Sequence, residues 1–160
     1  MIAIRLIVVL CVLVLSLSLK DIPERARGGS AAKSNNYLLQ ASGDAKIYKS
    51  TIDNFDNSTA TFDQRYFVDN QFYKAGGPVF FEIGGEGTLG GAPAGFMATL
   101  AEEYGAALVA LEHRFYGESI PNGNSNTDNL KYLTVEQALA DLNSFTQWYK
   151  RVEKLDDSKW

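Results

Sequence analysis

Apolar residues recur along this chain in three rhythms, and each rhythm predicts a different element. From Ile47 to Phe55 and from Thr61 to Phe72 apolar and polar positions alternate, with Phe62, Tyr66 and Val68 on one side and Asp63 and Arg65 on the other. A period of two predicts half-buried β-strands, and Asp56 and Asn57 between them supply turn chemistry. A hairpin alone is marginally stable, so this one is expected at the edge of a larger sheet. Val79 to Ile83 and Ala106 to Leu111 are instead almost unbroken apolar runs. Strands covered on both faces require such runs, as in a parallel sheet between helices.

The third rhythm is helical. Phe96, Met97, Leu100, Ala101 and Tyr104 recur at intervals of three and four and stop at Gly105, a residue suited to the left-handed end of a helix. The start is expected near Pro93 or Ala94, after the glycines. A second helix opens at Thr134 with Gln137 three residues on, a capping-box pattern. Val135, Leu139, Leu142, Tyr149 and Val152 predict its apolar face. Asn122 to Asn129 is polar throughout and is expected to be an exposed loop. A hairpin followed by strand, helix, strand, helix makes the fold class α/β, with a right-handed crossover.

Composition changes the picture mainly at the amino end. Met1 to Leu19 carries a short basic start at Arg5 and an unbroken apolar run from Leu6 to Leu15. That run has the length of a secretory h-region and is shorter than a membrane span. Residues 1–19 therefore read as a signal peptide, with a retained anchor as the alternative. Residues 20–45 are small and polar and are expected to be flexible. Cys11, the one cysteine, would leave with the signal. Asn57-Ser58-Thr59 is a glycosylation acceptor at Asn57 and suits the same secreted setting. The net charge of −4 comes with no basic patch, which argues against nucleic acid or an anionic membrane as a partner.

Gly85-Glu86-Gly87-Thr88-Leu89-Gly90 satisfies G-x-G-x-x-G between a strand and a helix, and Glu112 ends the next strand where a ribose-binding acid would fall. Three features speak against a dinucleotide. Gly91, Pro93 and Gly95 delay the helix whose N-terminus should meet the pyrophosphate. Glu86 would set a carboxylate beside the phosphates. A signal peptide carries the chain away from nicotinamide cofactors. A glycine loop at a strand end can also present backbone N–H groups to an oxyanion. A plain strand-to-helix turn is the alternative.

Read together, Thr61-Phe62-Asp63-Gln64-Arg65-Tyr66, the run Gly77 to Gly87, Phe96-Met97, Glu112-His113-Arg114-Phe115-Tyr116-Gly117-Glu118-Ser119 followed by Pro121, and Leu133-Thr134-x-x-Gln137-Ala138-Leu139-Ala140-Asp141 resemble one family. It is the serine exopeptidase family of lysosomal Pro-X carboxypeptidase, dipeptidyl-peptidase II and thymus-specific serine protease. The resemblance covers roughly Lys46 to Tyr149. It implies an α/β-hydrolase fold, a Ser-Asp-His triad without a cofactor, peptide substrates cut near proline at one end, and a secreted or lysosomal setting.

In that family the nucleophile sits in a Gly-x-Ser-Tyr-x-Gly elbow on the strand after the last helix seen here. This chain holds no such elbow, since Gly117-Glu118-Ser119-Ile120-Pro121 lacks the closing glycine and lies before that helix. No catalytic residue is therefore assigned to it. The backbone of Gly85 and Glu86 alone carries over, as the oxyanion-side loop. Residues 46–160 are expected to be the truncated front of a hydrolase domain, inactive alone, with an incomplete sheet whose open apolar edge invites aggregation. A non-catalytic secreted protein that binds peptides or pairs with a relative is the alternative, and a second copy of the chain is a candidate partner. His113, the one histidine, precedes the nucleophile position and reads as a structural strand-end residue. Arg114, Glu112 and Glu118 are expected to tie down its loop through charge-assisted bonds. With one histidine and no mature cysteine, a zinc site is not expected.

Overall fold

A computed structural model describes residues 43–57, 59–155 and 159–160. The predicted signal segment and nearly all of the predicted flexible segment lie outside the described residues. Within them the architecture is mixed α/β. Strands β1 (Lys46–Thr51), β2 (Thr61–Asp69), β3 (Val79–Ile83) and β4 (Ala107–Leu111) form one sheet in the order β1-β2-β4-β3. Helix α1 (Phe96–Tyr104) joins β3 to β4, and α2 (Val135–Glu153) follows a long loop. Hairpin β1–β2 occupies one edge and pairs antiparallel, β2 pairs antiparallel with β4, and β3 lies parallel to β4.

The two apolar runs behave differently. All five residues of β4 are buried, as a central strand demands. The β3 run stands at the end of the sheet, as an incomplete sheet requires, but it was expected to be covered on both faces, and its last residue, Ile83, is 56% exposed. The hairpin strands are also shorter than the alternation predicts, because the chain turns at Ile52–Asn57 and again after Asp69. At the outer edge of β3, the Val79 N–H donates to the Lys159 carbonyl at 2.8 Å, so the chain after α2 comes back alongside this strand.

Helix α1 begins at Phe96, later than the sequence predicts. It ends at Gly105, whose φ of 63° is left-handed and whose N–H bonds the Ala101 carbonyl. Ala98 and Ala101 are the residues it buries, against Leu108, while Phe96 is exposed. Helix α2 covers the other face of the sheet. Tyr48, Tyr66, Phe145 and Tyr149 pack into one core with Val109 and Leu111, and Phe81, Trp148 and Trp160 lean on it. Phe145 touches the rings of Tyr48, Tyr66, Phe81, Trp148 and Tyr149 at centroid distances of 5.2 to 5.7 Å. Burial pushes the Tyr149 phenol well above its ordinary range, and Glu153 adds to the shift.

The predicted apolar face of α2 is only partly correct. Tyr149 is buried, but Val135, Leu139 and Val152 are exposed. The buried line runs Gln137, Asp141, Phe145, Tyr149. Its first half is polar because the neighbouring groups are polar too. The capping box is half formed. Thr134 Oγ1 accepts from the Gln137 N–H at 3.3 Å, whereas the Gln137 side chain reaches the β1–β2 turn instead of returning to the cap.

Candidate functional site

The sheet register brings the chemistry to one end. Ile83 lies opposite Leu111, and Leu111 lies opposite Tyr66. One step further along this row stand Gly84, Glu112 and Arg65. Gly84 N–H donates to Leu111 O at 2.8 Å, and Glu112 N–H donates to Arg65 O at 2.9 Å. Residues directly opposite across a strand pair have touching side chains. Arg65 and Glu112 are therefore neighbours by register, on the face of β2 opposite Tyr66.

Glu112 is fully buried and gathers donors from four places. Arg65 Nε reaches Oε2 at 2.9 Å and Arg65 Nη2 reaches Oε1 at 2.5 Å. Ser119 Oγ donates to Oε2 at 2.6 Å, the Glu118 N–H to Oε2 at 3.2 Å, and the Leu89 N–H to Oε1 at 2.9 Å. Burial works to raise this carboxyl, but the bonds from Arg65, Ser119 and Leu89 outweigh it and hold the carboxyl below its ordinary value. Arg65 also donates to the Leu89 carbonyl at 3.2 Å. The exposed Glu118 carboxylate stands 3.5 Å from Arg65 and adds little.

The turn after β4 is shaped to deliver these donors. Phe115 N–H bonds Ser119 O, Tyr116 N–H bonds His113 O, and Ser119 N–H bonds Tyr116 O. Phe115 holds a φ of 69°, a left-handed conformation that costs a bulky residue about 1–3 kcal/mol. At Gly117, with φ 56°, a Cβ would run into the Glu112 carboxylate, so the turn can wrap that group only with glycine.

A second charged pair sits on the α2 side. Arg114 is completely buried, and all five of its N–H groups are engaged. Nε and Nη2 reach the two Asp141 oxygens at 2.6 Å each. Nη1 donates to the carbonyls of Ile52 and Tyr132 and Nη2 to that of Thr51, at 3.0 to 3.1 Å. Ser50 Oγ and Asn54 Nδ2 complete the shell around Asp141. This cluster staples α2, β1 and the loop before α2 together.

Gly85 and Glu86 are exposed, immediately after β3. Among the described residues neither backbone N–H has a hydrogen-bond partner. His113 places Nδ1 2.7 Å from the Arg114 carbonyl and rests edge-on against Tyr116. Ser119 Oγ is bonded to Glu112 and accepts the Arg65 N–H at 2.9 Å. His113 and Ser119 are thus not a nucleophile–base pair. The dinucleotide reading also fails on geometry. The helix opens only at Phe96, beyond Gly91–Gly95, and Glu112 is turned inward onto Arg65. Asn57 is an exposed turn residue between β1 and β2.

Hollows among the described residues include two, one near this end of the sheet and one in the loop before α2. One of about 20 Å³ among Gln64, Ile83, Glu112, His113 and Leu142 has room for a water and no more. One of about 320 Å³ lies among the asparagines of the 122–129 loop, where Asn122, Asn124, Asn126 and Asn129 bond one another.

The model of a family described as Serine carboxypeptidase S28 matches residues 50–160. The chain belongs to that family. Among the proteins it is similar to, prolyl carboxy peptidase like protein 5 of Caenorhabditis elegans is 48% identical over 94 residues, 56% of this chain and 18% of its own length. Thymus-specific serine protease of Mus musculus is 48% identical over 91 residues, 54% of this chain and 18% of its own. Lysosomal Pro-X carboxypeptidase of Homo sapiens is 40% identical over 111 residues, 65% of this chain and 22% of its own. The chain spans about a fifth of the length of these relatives.

Within this S28 segment, sequence reading named Glu112, Arg114 and Glu118 as loop ties; Glu112 is one, Arg114 is engaged by α2 and β1 instead, and the exposed Glu118 carboxylate adds little. The same reading missed Arg65, Ser119 and Asp141, which hold Glu112 and Arg114. Asp141 had one visible sign: it follows Gln137 by four on a helix, which puts both on one face.

Proposed function

We propose that this chain is the N-terminal portion of a secreted or lysosomal serine exopeptidase built on an α/β-hydrolase fold. In the complete protein a serine would attack a peptide carbonyl to give a tetrahedral oxyanion, whose collapse breaks the C–N bond, expels the protonated amine and leaves an acyl-enzyme; water then releases the acid and frees the serine. The backbone N–H groups of Gly85 and Glu86 are the candidates for one side of the oxyanion hole, where each donor contributes about 2.7–4 kcal/mol to the transition state. The observation that carries this reading is their position: two amides without a partner among the described residues, in a glycine loop at the carboxyl end of a parallel strand, in a chain of the S28 family. Such strand ends are where open α/β sheets bind their ligands.

The return of the chain to the outer edge of β3 at Lys159 supports placing the nucleophile strand there. The triad then lies outside residues 1–160, and the chain alone is inactive. Residues 1–19 act as the signal peptide and Asn57 carries glycan. The substrate class is peptides, whose end preference is set by residues elsewhere in the protein.

The test is a fluorophosphonate-probe gel of the natural source, blotted with an antibody raised to Thr61–Asp141. The expected result is a labelled band several tens of kilodaltons above the mass of the 160-residue chain. An unlabelled band at that mass, with nothing larger, would overturn the reading and favour a non-catalytic secreted product.

A further inference from the structure

We propose that the Arg65–Glu112 ion pair is a positioning device for the glycine loop, setting the backbone amides of Gly85 and Glu86 relative to the sheet. The inference rests on the reading of those amides as oxyanion donors and adds what fixes them.

The loop has two anchors. At its start the Gly84 N–H is bonded to Leu111 O at 2.8 Å. Further on, Leu89 is held at both backbone groups, its N–H by Glu112 Oε1 at 2.9 Å and its carbonyl by Arg65 Nη2 at 3.2 Å. Between these anchors Gly85, Glu86, Gly87 and Thr88 make no hydrogen bond to any described residue. Nor would a Cβ added at Gly85, Gly87 or Gly90 meet anything within 4 Å. A glycine-rich stretch with no contacts of its own has many conformations open to it. Where its amides stand therefore depends on the anchors.

The far anchor is built to be rigid. The carboxylate that holds Leu89 is itself held by Arg65, Ser119 and the Glu118 N–H, in a site that is fully buried. The strained Phe115 turn brings the last two of these donors in. Glycine at position 117 leaves room for the carboxylate between them. The guanidinium fork grips both Glu112 oxygens, through Nε and Nη2, while Nη2 also reaches the Leu89 carbonyl; a single ammonium would lose the two-pronged hold on the carboxylate. Arg65 and Glu112 touch no reacting atom in this scheme. They act through the loop.

The experiment uses the natural polypeptide carrying this chain, as wild type, E112Q and R65K. It measures peptide hydrolysis, affinity for a peptidyl aldehyde whose tetrahedral adduct imitates the oxyanion, and thermal melting. A displaced donor is expected to lower kcat about 10–100-fold. Aldehyde affinity should fall by a similar factor while KM stays within about twofold, the signature of an interaction made only in the transition state. R65K, which keeps the charge without the fork, should lie between wild type and E112Q. If E112Q does not fold, R65K decides.

A folded variant with wild-type kcat and aldehyde affinity overturns the positioning role, as does a raised KM with kcat unchanged. A wild type that takes no fluorophosphonate label defeats the hydrolase reading and this inference together. A labelled wild type with unaffected variants defeats only the inference.

Discussion

Two arginine–carboxylate pairs stand near the same end of this sheet, and they differ in what they hold. Arg114–Asp141 binds element to element: every donor of the guanidinium meets Asp141 or a carbonyl of the β1–β2 region or the loop before α2. Arg65–Glu112 holds the turn after β4 and, through Leu89, the glycine loop after β3. The first is closed upon the fold. The second has the fold on one side and the candidate site on the other. Similar chemistry therefore serves two ends, and the partners beyond the pair decide which.

The largest effect is expected of D141A, which leaves the buried Arg114 charge unpaired. The expected loss is about 3–5 kcal/mol of stability in urea unfolding. Replacing both partners by apolar residues, R114M with D141L, should recover much of it, because the cost lies in the stranded charge. A D141A protein as stable as wild type would mean that water reaches Arg114 and that the staple is not as buried as described.

E112Q comes next. It removes charge-assisted bonds but keeps an acceptor and the shape, so about 1.5–3 kcal/mol is expected. The effect should depend on pH with a definite sign. The folded carboxyl titrates below its ordinary 4.5, so the pair's contribution is present above that value and is lost as the pH falls through the folded one. Wild type and E112Q should therefore differ in stability at neutral pH and converge in acid below about 4.5. A constant difference down through the acid range would show that the charge of Glu112 is not what stabilises.

The smallest effect belongs to a third pair, Lys49–Asp63, whose side chains are 67% and 55% exposed on the hairpin. K49A should change stability by about 0.5 kcal/mol or less, and less still in high salt. A larger value would mean that ion-pair strength here does not follow burial, and the ranking of all three would fall with it.

What was legible in the sequence follows from the same contrast. Elements whose burial is purely apolar were read correctly in kind: β4 from its unbroken run, and the end of α1 from Gly105. An apolar run does not tell how fully the faces of a strand are covered, so β3, though expected to carry an open edge, was read as covered on both faces like β4. The face of α2 was misjudged because its buried line begins with Gln137 and Asp141. Those two are satisfied by Asn54, Ser50 and Arg114, partners that no local spacing reveals.

Arg65 is the clearest case. It sits at an outward position of an alternating strand, and its partner Glu112 is 47 positions away in sequence. Only the register of β2 on β4 brings the two together. The glycine loop was legible as a loop and as a set of candidate donors. What anchors it was not.

The most direct test of the central claim is to map the serine that the fluorophosphonate probe modifies in the natural polypeptide, by mass spectrometry of its peptides. The account predicts an adduct on a serine in a peptide that does not occur within residues 1–160, with Ser119 unmodified. An adduct on Ser119 would contradict it. That hydroxyl would then be a nucleophile rather than one of the bonds that hold Glu112 in place.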